Sequence, residues 1–119
     1  MKFLLMVYTD DSLIEALPEG AFDRMMHGCI THADELKAGG TLIESQQLEH
    51  GSTARTVRVR DGKTHVVDGP FAETKEILGG YNLIEADSLE EAVKIAQEFP
   101  WIGTGSIEVR PVRDFDAVR

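Results

Sequence analysis

The sequence predicts an α+β sandwich, with two helices laid over one face of an antiparallel sheet. Three observations predict it. The chain has 119 residues, the size of a single domain spanning 1–119. Apolar residues recur at three- and four-residue spacing in two segments only, and at strand spacing elsewhere. The order of these patterns is β-α-β, a hairpin, then β-α-β.

The elements follow in turn. Phe3-Leu4-Leu5-Met6-Val7-Tyr8 is a continuous apolar run ended by Thr9-Asp10-Asp11, which predicts a strand central in a sheet. A loop follows to Pro18-Glu19-Gly20. A helix is predicted over 21–38, with Phe22, Met25, Met26, Cys29, Ala33 and Leu36 on one face, and Gly39-Gly40 stops it. Thr41 to Glu44 reads as a short strand. Arg55 to Arg60 and Lys63 to Val67 read as a hairpin, because Asp61-Gly62 suits a two-residue turn with positive φ. Asp68-Gly69-Pro70-Phe71 breaks it. Gly79-Gly80 leads into a strand from Tyr81 to Ala86. Ser88 and Glu91 form a capping box for a helix that runs to about Phe99, before Pro100. Ser106 to Val112 is the last strand. Two βαβ-like halves with right-handed crossovers give a ferredoxin-like sandwich. Helices cover one sheet face only. The other face, showing Phe3, Leu5 or their neighbours, calls for a partner, and a homodimer packed sheet to sheet is expected.

Composition limits the function. The chain carries 12 basic and 21 acidic residues, a net charge of −9, which argues against nucleic acid or an anionic membrane as the main partner. The charge is uneven: residues 51–71 carry four basic and two acidic side chains, whereas both flanks are acidic. The longest apolar run has six residues, against ~20 for a membrane span. The single cysteine cannot form an internal disulfide, and without an export signal the expected compartment is cytoplasmic.

Val67-Asp68-Gly69-Pro70-Phe71-Ala72-Glu73-Thr74-Lys75-Glu76, with Leu78-Gly79-Gly80-Tyr81 behind it, closely resembles the DGPF group of the YCII-related family. The resemblance extends over nearly the whole chain. It implies a small dimeric ferredoxin-like protein of the dimeric α/β-barrel type, similar in build to muconolactone isomerase. One branch of the family resembles enzymes that remove chloride from chlorinated hydroquinones, and some DGPF proteins are associated with extracytoplasmic-function sigma factors. The wider family pairs a helix histidine with a loop aspartate. Asp68 matches that aspartate. The histidine position falls at Cys29, and His32 lies one turn later.

The candidate residues each have two readings. Asp68 is a base or the orienter of a histidine, or its carboxylate accepts amide hydrogens from the turn it opens. His32 is a general acid–base, or is hydrogen-bonded at the helix–sheet boundary. His65 lies on the hairpin strand, on the opposite face from Asp68, so that pair meets only if the strand breaks or a second chain intervenes. His27 is a solvated side chain, and His50 in a polar loop is assigned no role. Phe71, Tyr81 and Trp101, with Pro70, line a pocket, or Phe71 and Trp101 serve core or interface. Tyr81, beside two glycines, is the preferred polar pocket residue. Glu73 and Lys75 pair with each other on the surface. Arg58 and Arg60 attract an anion or form a solvated face. Cys29 on the apolar stripe is a core residue. No metal site is expected, since no Cys-x-x-Cys occurs and His27 and His32 are five apart on the helix. No cofactor is expected, because no glycine run has a nucleotide-loop context.

Two functions fit. The first is a small-molecule enzyme that moves a proton on an aromatic or enone-like substrate, by isomerisation or elimination, with Asp68 working with His32, with a histidine of a second copy, or without a histidine, in a pocket between helix and sheet. The alternative is a non-enzymatic ligand-binding or regulatory dimer, linked to sigma-factor regulation.

Overall fold

A computed structural model describes residues 1–72 and 74–119. The strands are β1 (Lys2–Thr9), β2 (Leu42–Gln47), β3 (Arg55–Arg60), β4 (Lys63–Asp68), β5 (Ile77–Glu85) and β6 (Gly105–Pro111). The helices are α1 (Asp11–Glu15), α2 (Ala21–Ala38) and α3 (Leu89–Gln97). Four strands form one antiparallel sheet in the order β2-β5-β1-β6, the ferredoxin-like arrangement. β3 and β4 pair only with each other as a separate hairpin.

Alternation along β1 sorts its side chains between two environments. Phe3 and Leu5, with Ile84 of β5, are fully buried beneath the helices. They pack with Ala92, Ile95 and Ala96 of α3 and with Phe99, while Cys29, Ala33 and Leu36 of α2 close over them. Leu4, Met6 and Tyr8 point the other way, and Leu83, opposite Leu4, joins them. The uncovered face therefore shows the neighbours of Phe3 and Leu5, not those residues themselves. The same alternation means that β1, although central, is sealed by helices on one side only.

Several boundaries differ from the sequence expectation for local reasons. Asp10 opens a short helix, α1, where a loop is expected. Its carboxylate accepts the Ser12 amide at 3.0 Å and the Ser12 hydroxyl at 2.6 Å, so Asp-x-Ser is a cap signal. β5 begins at Ile77, because the Gly79-Gly80 pair lies inside the strand. The pairing passes from Val7–Gly80 to Tyr8–Leu78, which leaves Gly79 as a bulge. β2 runs on to Gln47, because its backbone ladder with β5 continues to the Gln47–Gly80 pair. Ser88 caps α3 by accepting the Glu91 amide at 3.1 Å, and the Glu91 carboxylate accepts the Asp87 amide at 2.9 Å. Asp61 and Gly62 both have positive φ, at 53° and 74°, as the tight hairpin turn requires.

Candidate functional site

Between α2 and the sheet lies a cleft of about 660 Å³. Its greasy wall comes from Phe22 and Met26 of α2, Val7 of β1, Ile107 of β6, and Phe99 and Trp101 after α3. Phe22 meets Trp101 edge to face, with ring centroids 6.4 Å apart. The Trp101 indole donates to the Tyr8 carbonyl at 3.2 Å, which locks the ring in place. Gly80 lies in the cleft lining opposite Gln47 of β2. A Cβ there would stand 2.8 Å from the Gln46 carbonyl, so only glycine lets the edge strand come this close.

Polar groups gather at the β2 side of the cleft. Asp11, the first residue of α1, and His50, which follows β2, both line it. His50 caps the 3-10 turn at Gly51–Thr53, and its Nδ1 accepts the Ser52 amide at 3.1 Å. An accepting Nδ1 puts the ring proton on Nε2, which donates to Asp11 Oδ2 at 3.0 Å. The second Asp11 oxygen takes no hydrogen bond among the described residues, and the Asp11 and His50 side chains are 52% and 61% exposed. Deeper in, buried Asn82 accepts the Ser45 hydroxyl at 2.6 Å, and its amide NH2 remains as a donor. The cleft thus offers a broad apolar wall, one carboxylate oxygen and one amide donor. Among the described residues, no three His, Cys, Asp or Glu side chains converge as metal ligands.

The structure does not bring Asp68 and His32 together. Asp68 ends β4, its side chain 86% exposed, and pairs at 3.0 Å with Arg55, its neighbour across the hairpin. His32 is packed edge to face on Phe99, donates from Nε2 to the Ile95 carbonyl at 3.2 Å, and has Glu98 3.8 Å away. It joins α2 to α3, and neither residue lines the cleft. The carbonyl of Gly69, not the Asp68 carboxylate, serves the turn, accepting the Thr56 hydroxyl at 2.8 Å. Phe71 is 80% exposed, and Pro70 lies beside Gly51 and Ile77; both are outside the cleft lining. Tyr81 does line the cleft, but its hydroxyl turns to the uncovered sheet face and donates to Glu44 at 3.1 Å. That bond to a carboxylate, with burial behind it, raises the Tyr81 pKa.

Cys29 sits on the cleft wall and packs on the core. Burial raises its thiol pKa, with a smaller opposing contribution from a bond to the Trp101 backbone, so the thiolate needed for attack is disfavoured. The expected pairing of Glu73 with Lys75 lies outside the described residues. Lys75 itself approaches Asp10 at 3.7 Å. His50 is the residue that sequence reasoning missed. Its signal is His-x-Ser ahead of a turn, a side-chain cap, combined with the Asp10-Asp11-Ser12 cap that meets it at the same end of the cleft.

A four-stranded antiparallel sheet with helices on one face, and a cleft between them with a carboxylate–imidazole pair at its edge, defines a class: small ferredoxin-like α+β proteins. The chain belongs to the YCII-related family, whose domain matches residues 1–116. It is 36% identical over 114 residues to an uncharacterised protein of Rhizobium meliloti (strain 1021), covering 94% of this chain and 92% of that one. Its fold is similar to that of 5-chloro-2-hydroxyhydroquinone dehydrochlorinase from Burkholderia phenoliruptrix AC1100, solved with 2,5-dihydroxybenzoquinone. The TM-score is 0.50, with 15% identity over 95% of this chain and 94% of that one. No helix among the described residues is long and apolar enough to cross a membrane.

Proposed function

We propose that this protein is a small-molecule enzyme. It binds a flat, largely apolar ring bearing oxygen substituents in the α2–sheet cleft, and Asp11 moves the proton. The observation that carries this reading is the Asp11–His50 pair beside a wall of Phe22, Trp101 and Ile107. The ring lies against the aromatic wall, and the Asn82 amide donates to one of its oxygens. Asp11 takes a proton from ring carbon or hydroxyl, while the His50 Nε2–H holds the carboxylate in place. In isomerisation the proton returns at another position. In elimination a leaving group departs with its bonding pair as the new double bond forms. The dehydrochlorinase neighbour, an enzyme on the same fold, is consistent with this class of substrate.

The working unit of this proposal is a homodimer packed through the uncovered sheet face. Leu4, Met6, Tyr8, Tyr81 and Leu83, all half-buried, supply its apolar centre.

Trp101 is the chain's single tryptophan and stands in the cleft wall, so its fluorescence reports occupancy. Titration with hydroxylated benzoquinones is expected to quench it saturably. For a turned-over substrate, Asp11→Asn is expected to lower kcat by about 100-fold or more while leaving quenching intact. His50→Ala is expected to cost less, since it loosens the carboxylate without removing it. Absence of quenching would end the proposal.

One observation favours a second reading, a ligand-binding or regulatory dimer without catalysis: both His50 nitrogens are already engaged, so no imidazole is free to shuttle a proton. Saturable quenching without turnover of any ligand that binds would select it.

A further inference from the structure

The β3–β4 hairpin stands away from the body. Among the described residues its strands pair only with each other; the Gly69 amide closes the root on the Ala54 carbonyl at 2.7 Å, and Thr56 and Arg58 donate to the Gly69 and Phe71 carbonyls just beyond the hairpin at 2.8 and 3.2 Å. The molecule measures 47 × 46 × 20 Å, with a radius of gyration of 16.4 Å. A compact chain of this length has about 13.5 Å. The hairpin explains the excess.

Register puts Val57 opposite Val66, with Val59 on the same face two pairs further along. These three valines are 65%, 65% and 59% exposed. They are strong strand formers with nothing packed on them, and an isolated two-stranded hairpin is marginal in water. Charge indicates what covers them. Residues 55–68 carry four basic and two acidic side chains, whereas the rest of the chain carries eight and nineteen. The surface complementary to this arm is the acidic body of the same protein. Its own body is out of reach, so the complement must come from another molecule.

We propose that the β3–β4 hairpin is an arm that lies on a second copy of this chain, with Val57, Val59 and Val66 against that copy's apolar surface, while Arg58, Arg60 and Lys63 on the arm's other face draw it to the acidic body through its net positive charge. Two-fold symmetry makes the exchange reciprocal, one arm from each protomer. The arm springs from the Gly51–Thr53 turn that His50 caps, so its docking also anchors the turn holding the Asp11–His50 pair. The proposal shares the second copy with the sheet-to-sheet dimer above, but uses a different surface.

Sedimentation velocity on a dilution series of the full chain tests it, with Val57→Asp/Val66→Asp beside Met6→Asp on the sheet face. The arm variant is expected to dissociate at a protein concentration about 10-fold higher or more than the wild type, with far-UV dichroism unchanged, because the arm lies outside the core. Added salt is expected to weaken wild-type association, since the attraction between the basic arm and the acidic body is screened. A wild-type dimer that Met6→Asp splits and the arm variant does not would overturn the arm while sparing the sheet interface. A monomeric wild type would overturn both. A spin label at Val66→Cys, in a Cys29→Ala background, is expected to broaden amide signals of an isotope-labelled, unlabelled-spin partner. Unbroadened amide signals in that isotope-labelled partner would also overturn the arm.

Discussion

Asp10 shows how much one side chain can hold. It is 4% exposed, ends β1, caps α1 and approaches Lys75. The Ser12 hydroxyl foremost, then the Ser12 amide and Lys75, hold its carboxyl below the usual carboxylate range, against an opposing effect of burial. A carboxyl lowered by folding stabilises the native state above its unfolded pKa of about 3.9 and loses that contribution as pH falls through the lower native value. Wild-type urea midpoints are therefore expected to fall between about pH 4 and pH 2 more steeply than those of Asp10→Asn. Parallel curves would show that the Ser12 contacts do not stabilise the charged form. Asp11, the next residue, is spared this duty, and its free oxygen is what makes it the candidate acid–base group. The sequence shows both aspartates but not this division of labour, because it depends on which one faces Ser12 and which one faces His50, 39 residues away.

At the scale of elements, local chemistry decided most boundaries. The 21–38 helix lies where its apolar period ends at two glycines, and the hairpin turns at Asp61-Gly62. The Ser88–Glu91 cap is a local device with a local consequence. Ser88→Ala is expected to cost about 1 kcal/mol, readable as a lower urea midpoint with an unchanged slope. Elements that depend on a neighbour were less legible. β5 was expected to start after Gly79-Gly80, because glycine usually punctuates. In the fold these glycines stay in the strand, since β2 and β1 need close approach there. β2 has little apolar pattern of its own beyond Leu42 and Ile43, and its extension to Gln47 is set by pairing with β5.

Across the whole molecule the core is small. Phe3, Leu5 and Ile84 are its only fully buried large side chains among the described residues. Leu5→Ala is expected to destabilise by roughly 2–5 kcal/mol, because the helices overhead cannot collapse into the gap left on the sheet. A loss below about 1 kcal/mol in chemical denaturation would mean that this layer is not close-packed. The remaining apolar surface among the described residues is spread over a cleft, a bare sheet face and a hairpin arm.

The sequence by itself determined the α+β order, both long helices, the hairpin and family membership, because these rest on period, turn residues and a rigidly spaced motif that neighbours in the chain enforce. The tertiary structure alone decided which side chains share the site. Asp68 was legible as a motif residue, yet crossing strands place it beside Arg55 on the arm. His50 carried only a capping signal, yet the approach of α1 to the end of β2 puts its ring on Asp11. Contacts between residues far apart in sequence follow from how the layers pack, and no local pattern encodes them.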